Sequence, residues 1–575
     1  MKKILWLPFV IISCSLIAQK DIPNDIYKSN KTYTHEEIIL KYLRLEKENP
    51  EVCKLVSCGK SDCGKNLHLF VINKSGKFEA TQIDRTVQNV LLINNAIHPG
   101  EPCGVDASIK LARELVRNPK KLPDNLVITI VPIYNIGGAS NRNCCSRANQ
   151  NGPEEYGFRG NARNLDLNRD FIKCDSENAR AFVGFFRAWN PDVFVDTHTS
   201  NGADYQHVMT LITTQTDKLN PVLSEFVVNQ MRPHLLQEME KKKYPVVPYV
   251  HTIKKTPDNG IKDYLETPRY STGYAATFNC IGFVTEAHML KPFSERVEST
   301  YMFLKILVDY MNNQGDLIRQ KRSRAIMHTI QSKTHYFNYK LDTTRFDSIL
   351  FHGYTAKYKP SLVSGTERLF YDQTEPYSKF IRYYRYYYPT DSVVKPRFYV
   401  VPQAWREVVE LLQMNKVQMT QLDQDSTMIL KAYYIDSFQT VNSPYEGHYL
   451  HYNIKTTKKE TMVTLYQGDY LIPMGRETDI FVMEVLEPFN SDSYFAWNFF
   501  DEILMQKEWF SPYVFEEKAL EILESNPGLK KEFEQKKLED PEFTKDGFLQ
   551  LLYIFKHSDN YEKTHNRYPV YRIER

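Results

Sequence analysis

The chain is expected to fold as an α/β protein: a mixed, mostly parallel sheet flanked by helices, followed by a β-rich C-terminal region. Three observations predict this. Apolar runs such as VLLINNAI, LVITIVPIYN and CIGFVTEAHM are too continuous for half-exposed strands and read as strands buried on both faces. Amphipathic helical segments alternate with them over about 280 residues, the pattern of a sheet covered by helices. Beyond the basic stretch RQKRSRA, tyrosine and β-branched residues rise, and RFYVVP, YLHYNIK and TMVTLYQGDYLIPM alternate as strands do.

Taken in order, EEIILKYLRLEKENP has the helical period and stops at Pro50. LHLFVIN follows as a strand, and VLLINNAI is a buried strand that ends in a His-Pro-Gly-Glu loop. GVDASIKLARELVRN places Val105, Ile109, Ala112 and Val116 on one helical face, and LVITIVPIYN returns as a strand. The alternation repeats in SENARAFVGFFRAW and DVFVDTHTSNG, then in PVLSEFVVNQMRPHLLQEMEKKK, CIGFVTEAHM and the long helix SERVESTYMFLKILVDYMNN. A boundary is expected near 325 to 340, separating a first domain over 19–330 from a β-rich region over 340–575. That region closes with a charged helical tail, VFEEKALEIL to KKEFEQKKLED. The run FIRYYRYYYP reads either as a stacking wall for peptide or glycan or as Tyr and Arg alternating along a strand.

A chain of 575 residues exceeds what one core usually organises. Its 42% hydrophobic and 25% charged residues, with a mean hydropathy of -0.48, describe a globular protein with ample core. A net charge of +3 is near balance and argues against nucleic acid or an anionic membrane surface as the main partner. The opening MKKILWLPFVIISCSLIAQ joins Lys2 and Lys3 to an apolar run and Ala18, a secretory signal over residues 1–18 that implies a secreted or periplasmic protein. The run is too short for a membrane span, which needs roughly 20 apolar residues. A lipid anchor on Cys14 is the alternative, opposed by the continuation of the run through Leu16 and Ile17. Of nine cysteines, the eight after Cys14 all lie in the first half, as expected of disulfides or buried thiols in an exported domain. Cys53, Cys58 and Cys63 have poor spacing for zinc.

In sheets of this kind chemistry gathers at the carboxyl ends of strands. His98, His198 and Glu286 fall there. His98 and Glu101 stand three residues apart in one tight loop and can reach a single zinc ion. A lone histidine at a strand end is ordinarily a plain polar residue, but His198 would make a third ligand and leave a fourth position for water, the arrangement of a catalytic site. Glu286 follows an apolar buried strand, where a carboxylate is costly unless used, and is placed to act as general base. Between the ligands, YGFRGNARNLDLNRDF is dense in guanidinium and amide groups. Asn168 and Arg169 form a fork for a carboxylate; Arg159, Arg163 and Arg147 are further cations for an oxyanion. Asp166 would orient a ligand imidazole.

The order His-x-x-Glu, Arg, Asn-Arg, His and a late Glu resembles the zinc carboxypeptidases of the carboxypeptidase A (funnelin) family, over about residues 30 to 315, with DLNRDF close to the family's Asp-x-Asn-Arg segment. The resemblance implies one zinc ion on His98, Glu101 and His198, with Glu286 as general base and acid. It implies further that Asn168 and Arg169 grip a C-terminal carboxylate. Arg159, nine residues before Asn168 as in cytosolic members, would polarise the scissile carbonyl, with Arg147 as the alternative. Tyr270 matches the family's closing tyrosine; its gap of 16 residues to Glu286 is short, so Tyr264 and Tyr274 stay open. The absence of an acidic residue between Tyr270 and Glu286 argues against a pocket selective for lysine or arginine. The implied activity is that of a secreted bacterial metallocarboxypeptidase acting on peptide or protein C-termini, cell-wall peptides included; bacterial members often carry an extra β-rich region. The competing functions are a zinc amidase or deacylase acting on cell-wall peptides or acyl-amino acids, and a non-catalytic binding protein.

Overall fold

The computed structural model describes residues 22–574, so the signal reading, with Cys14 and Ala18, lies outside the described residues. Ten strands appear in the first half: β1 (Cys53–Lys60), β2 (Asn66–Ile72), β3 (Asn89–Asn94), β4 (Leu126–Val131), β5 (Val193–Ser200), β6 (Met209–Thr213), β7 (Val247–Pro248), β8 (His251–Thr252), β9 (Ile261–Lys262) and β10 (Ile281–His288). Eight of them form one sheet in the order β1-β2-β4-β3-β5-β10-β6-β7. The centre, β4-β3-β5-β10, is parallel, while β1, β2 and β6 run antiparallel to their inner neighbours. Every residue of β3, β4 and β5 is buried, which is why their sequences read as unbroken apolar runs.

Helices Cys103–Val116, Glu177–Trp189 and Phe293–Asn313 cover this sheet. Gly104 sets one of these contacts: a Cβ there would fall 1.9 Å from Thr197 Oγ1, so only glycine lets the helix lie directly on β5, beside His198.

After helix Gly315–Gln331 the chain becomes extended. Thr334–Leu341 pairs with Tyr387–Val394, and Asp347–Pro360 forms a long hairpin with Glu367–Tyr384. The tyrosine-rich run ends one strand at Tyr384 and opens the next at Tyr387; Ile381, Tyr383 and Tyr384 are buried while Phe380 and Arg382 face outward. A six-stranded sheet follows, in the spatial order Thr420–Gln421, Tyr470–Pro473, Phe398–Val401, Tyr571–Ile573, Ser426–Thr440, His451–Leu465. Helices Pro512–Ser525, Pro527–Glu539 and Gly547–Lys556 pack around Phe515, Phe533 and Phe555 before the strand Tyr571–Ile573 returns to the sheet.

The two halves are not separate bodies. β9 pairs in parallel with Glu367–Tyr384, and a single hydrophobic core runs from Tyr27 to Val570. Asp263, next to β9, is buried against the Tyr383 hydroxyl, and burial pushes its carboxyl up to about 6. At the centre of the six-stranded sheet, the guanidinium of Arg572 meets Glu487, with the hydroxyls of Tyr399 and Tyr433 beside it. Cys144 and Cys145 form a disulfide; Cys53, Cys103, Cys174 and Cys280 are buried thiols. No helix among the described residues is long and apolar enough to cross a membrane.

Candidate active site

His98, Glu101, Arg159, Asn168, Arg169, His198, Tyr270 and Glu286 line one cavity of about 530 Å³, as does Arg147. Arg163 is not among its lining residues; its guanidinium donates to the Asp175 carbonyl instead. The cavity opens at the carboxyl ends of β3, β5 and β10. On adjacent parallel strands His198 and Glu286 are register partners, so backbone pairing alone sets them side by side. The loop after β3 supplies His98 and Glu101. Gly100 in that loop is needed for close approach, since a Cβ would meet Arg147 Cδ at 2.7 Å.

His98, Glu101 and His198 are buried, and their ligand atoms lie within 4.8 Å of one another. His98 Nδ1 stands 3.2 Å from Glu101 Oε1, and His198 Nδ1 stands 3.1 Å from Glu101 Oε2. The far nitrogen of each ring faces an aspartate: His98 Nε2 is 2.9 Å from Asp166 Oδ1, and His198 Nε2 is 3.0 Å from Asp196 Oδ2. A proton on His98 Nε2, donated to Asp166, leaves its Nδ1 without a hydrogen-bond partner and open to a metal, and His198 Nδ1 faces the same carboxylate. Two imidazoles and one carboxylate in this arrangement fit a zinc ion with an open position.

Charge around the triad is closely matched. Glu101 receives Arg147 Nη1 at 2.8 Å and the backbone N–H of Thr199 at 2.8 Å. Burial works against its ionisation, yet Arg147 and His98 hold the carboxyl well below its usual range. Asp166 is likewise kept low, against burial, by His98, Arg159 and Arg169. Arg159 binds it through Nε at 3.0 Å and Nη2 at 2.8 Å. The second half of the chain enters here as well: Glu446 Oε2 accepts the backbone N–H of Asp166 at 2.7 Å.

Arg147 is committed at three nitrogens, donating also to Gln150 and to the Thr199 carbonyl. Its side chain is 16% exposed, against 45% for Arg159. Asn168 Oδ1 accepts the backbone N–H of Ser271 at 3.0 Å, which leaves its amide protons for the cavity. Arg169 stacks on the Tyr270 ring at 4.4 Å. Glu286 makes no ion pair among the described residues, and burial pushes its carboxyl up to about 7.

Of the alternative tyrosines, Tyr264 lines the cavity with its ring 6.0 Å from that of Tyr270. Tyr274 does not: it is fully buried, and its hydroxyl donates to Asn415 in the second half. Ile212, Tyr249 and Glu266 line the cavity without having been singled out in the sequence. Ile212 and Tyr249 have no motif around them; Glu266 is an acid four residues before Tyr270, outside the interval from Tyr270 to Glu286.

Residues 39–300 match the family of zinc carboxypeptidases. The chain is similar to carboxypeptidase 2 of Trichophyton tonsurans, 20% identical over 425 residues, covering 70% of this chain and 72% of the relative. Among solved structures it is similar to a metallo-carboxypeptidase from Burkholderia cenocepacia, with TM-score 0.36 and 15% identity over 48% of this chain and 70% of the other. Bovine thrombin-activatable fibrinolysis inhibitor, solved with a tick carboxypeptidase inhibitor, gives a TM-score of 0.37 and 12% identity over 50% of this chain and 99% of the other.

Proposed function

We propose that the protein removes C-terminal residues from peptides, as the match of residues 39–300 to the zinc carboxypeptidase family supports, with the substrate's terminal carboxylate held by Asn168 and Arg169. One observation carries this reading. The free amide protons of Asn168 and the guanidinium of Arg169 face the same cavity as the ligand triad and Glu286. A fork of that kind suits a free carboxylate and has no use in an amidase that cuts within a chain.

A zinc ion on His98, Glu101 and His198 would supply Lewis acidity and a lowered water pKa. Glu286 takes a proton from the attacking water and returns it to the departing amine, and a carboxyl raised to about 7 suits both tasks. Arg159 donates to the scissile carbonyl oxygen. It is the more exposed of the two arginines, and its Nη1 lies 3.5 Å from Glu101, outside hydrogen-bonding distance, whereas Arg147 is engaged in holding Glu101 and Thr199. Asp166 orients His98, and Tyr270, stacked on Arg169, closes over the bound carboxylate. The charged start, apolar run and Ala18 of the first residues support export, with peptides outside the cytoplasm as substrates.

The deciding experiment compares peptides that differ only in a free or an amidated C-terminus. The free acid should be cleaved with a kcat/KM about a hundredfold higher, since the amide leaves Arg169 unpaired. Equal cleavage of both would replace this reading with an amidase.

A further inference from the structure

Two carboxylates lining the cavity have no charged partner among the described residues. Glu286 is one, and the proposed chemistry uses it. Glu266 is the other, and that chemistry leaves it idle. Glu266 is 4% exposed, and its Oε2 is fully buried without a hydrogen-bond partner. A carboxylate in that condition is costly to keep, and the cost is offset only when a donor or a cation reaches it.

Its position says which part of a substrate would do so. One row back from His198 and Glu286, Asp196, Val284 and Ile212 are register partners across β5, β10 and β6, on the same face because side chains alternate along a strand. Val284 and Ile212 form an apolar floor to the cavity. Glu266 stands near this row. Burial above all pushes its carboxyl up to about 8, the charges of Asp196 and Glu286 push the same way, and His198 and Arg169 oppose them only in part. An apolar floor near a buried carboxyl group without a partner is complementary to an aliphatic stem that ends in a cation.

We infer that Glu266 selects the C-terminal residue of the substrate, and that the residue it selects is lysine or arginine. The inference rests on the carboxypeptidase reading above and names its substrate class. It also reverses the expectation drawn from the empty interval between Tyr270 and Glu286, because the acid comes from the other side of Tyr270. A neutral side chain of equal shape leaves Glu266 buried and unpaired, so discrimination comes from the pairing and not from size.

The test uses the full chain loaded with zinc and peptides identical except for a last residue of arginine or its neutral isostere citrulline. The arginine peptide should have a kcat/KM at least about tenfold higher, with the ratio falling towards one in Glu266→Gln. Equal values in the unaltered protein overturn the inference, and that comparison needs no variant to fold. Calorimetric binding of free arginine and citrulline reads the pocket without catalysis. If arginine outbinds citrulline by a similar margin, and loses the advantage in Glu266→Gln, while no peptide is cleaved, the carboxypeptidase reading falls and the pocket assignment stands. Cleavage without preference overturns the pocket assignment and leaves the carboxypeptidase reading in place.

Discussion

The strands β3 and Glu367–Tyr384 lie at opposite extremes of one architecture. The first is six residues long and buried at every position; the second is 18 residues long and buried only at Ile381, Tyr383 and Tyr384. A strand with no exposed position has nowhere to present a functional group except its end, and that is where His98, His198 and Glu286 gather. A long strand with an open face spreads its polar groups along its length, and where Asp372 and Glu375 meet Lys357 they do so at the surface. The buried charges differ in the same way. Around His98 and Glu101 they converge on a cavity, whereas Arg572 and Glu487 meet at the centre of a sheet, away from that cavity. A cluster of buried ions becomes a site only where open volume reaches it.

Three changes would break or sharpen this contrast. The largest effect is expected from Glu286→Gln, which removes the base while preserving shape. Its kcat should fall about a thousandfold with zinc content unchanged. Metal analysis beside steady-state kinetics checks this, and loss of zinc in the variant would count Glu286 among the ligands instead. Next comes Arg572→Ala, which leaves Glu487 buried without its partner. Unfolding in denaturant should show a loss of about 3–5 kcal/mol, with kcat per folded molecule close to that of the unaltered protein. A fall in kcat at unchanged stability would erase the distinction between the two ion clusters.

The smallest effect belongs to the seam between the halves. The Asp263 carboxyl titrates at about 6 in the folded protein, against an ordinary value of 3.8. Between these values the folded state holds a proton that the unfolded state has released, so the contribution of this group to stability is greatest below about 4 and is lost as pH rises through 6. The loss is at most about 3 kcal/mol. Asp263→Asn should flatten that part of the stability profile; a profile of unchanged slope would show that the seam does not depend on this proton.

The strand ends were legible because an unbroken apolar run marks both a buried strand and the place where it stops. That Asn168 and Arg169 line the cavity and that Asp166 meets His98 were legible from their position between the candidate ligands. Glu266, Ile212 and Tyr249 were not, since their meeting depends on cross-strand register and on the irregular stretch between β9 and β10. The union of the two halves was hidden as well. A shift in composition near residue 330 reads as a boundary, yet Phe278 stacks on Phe481 at 5.2 Å, and Tyr274, a candidate for the site, turns out to anchor that contact through Asn415.

The bond from Glu446 to the backbone of Asp166 joins residues 280 positions apart. The residue hydrogen-bonded to His98 is thus supported from the second half of the chain. Every candidate metal ligand lies in the first 200 residues, yet the loop that orients one of them is braced from the second half, so the first half taken alone would hold the ligands without that brace.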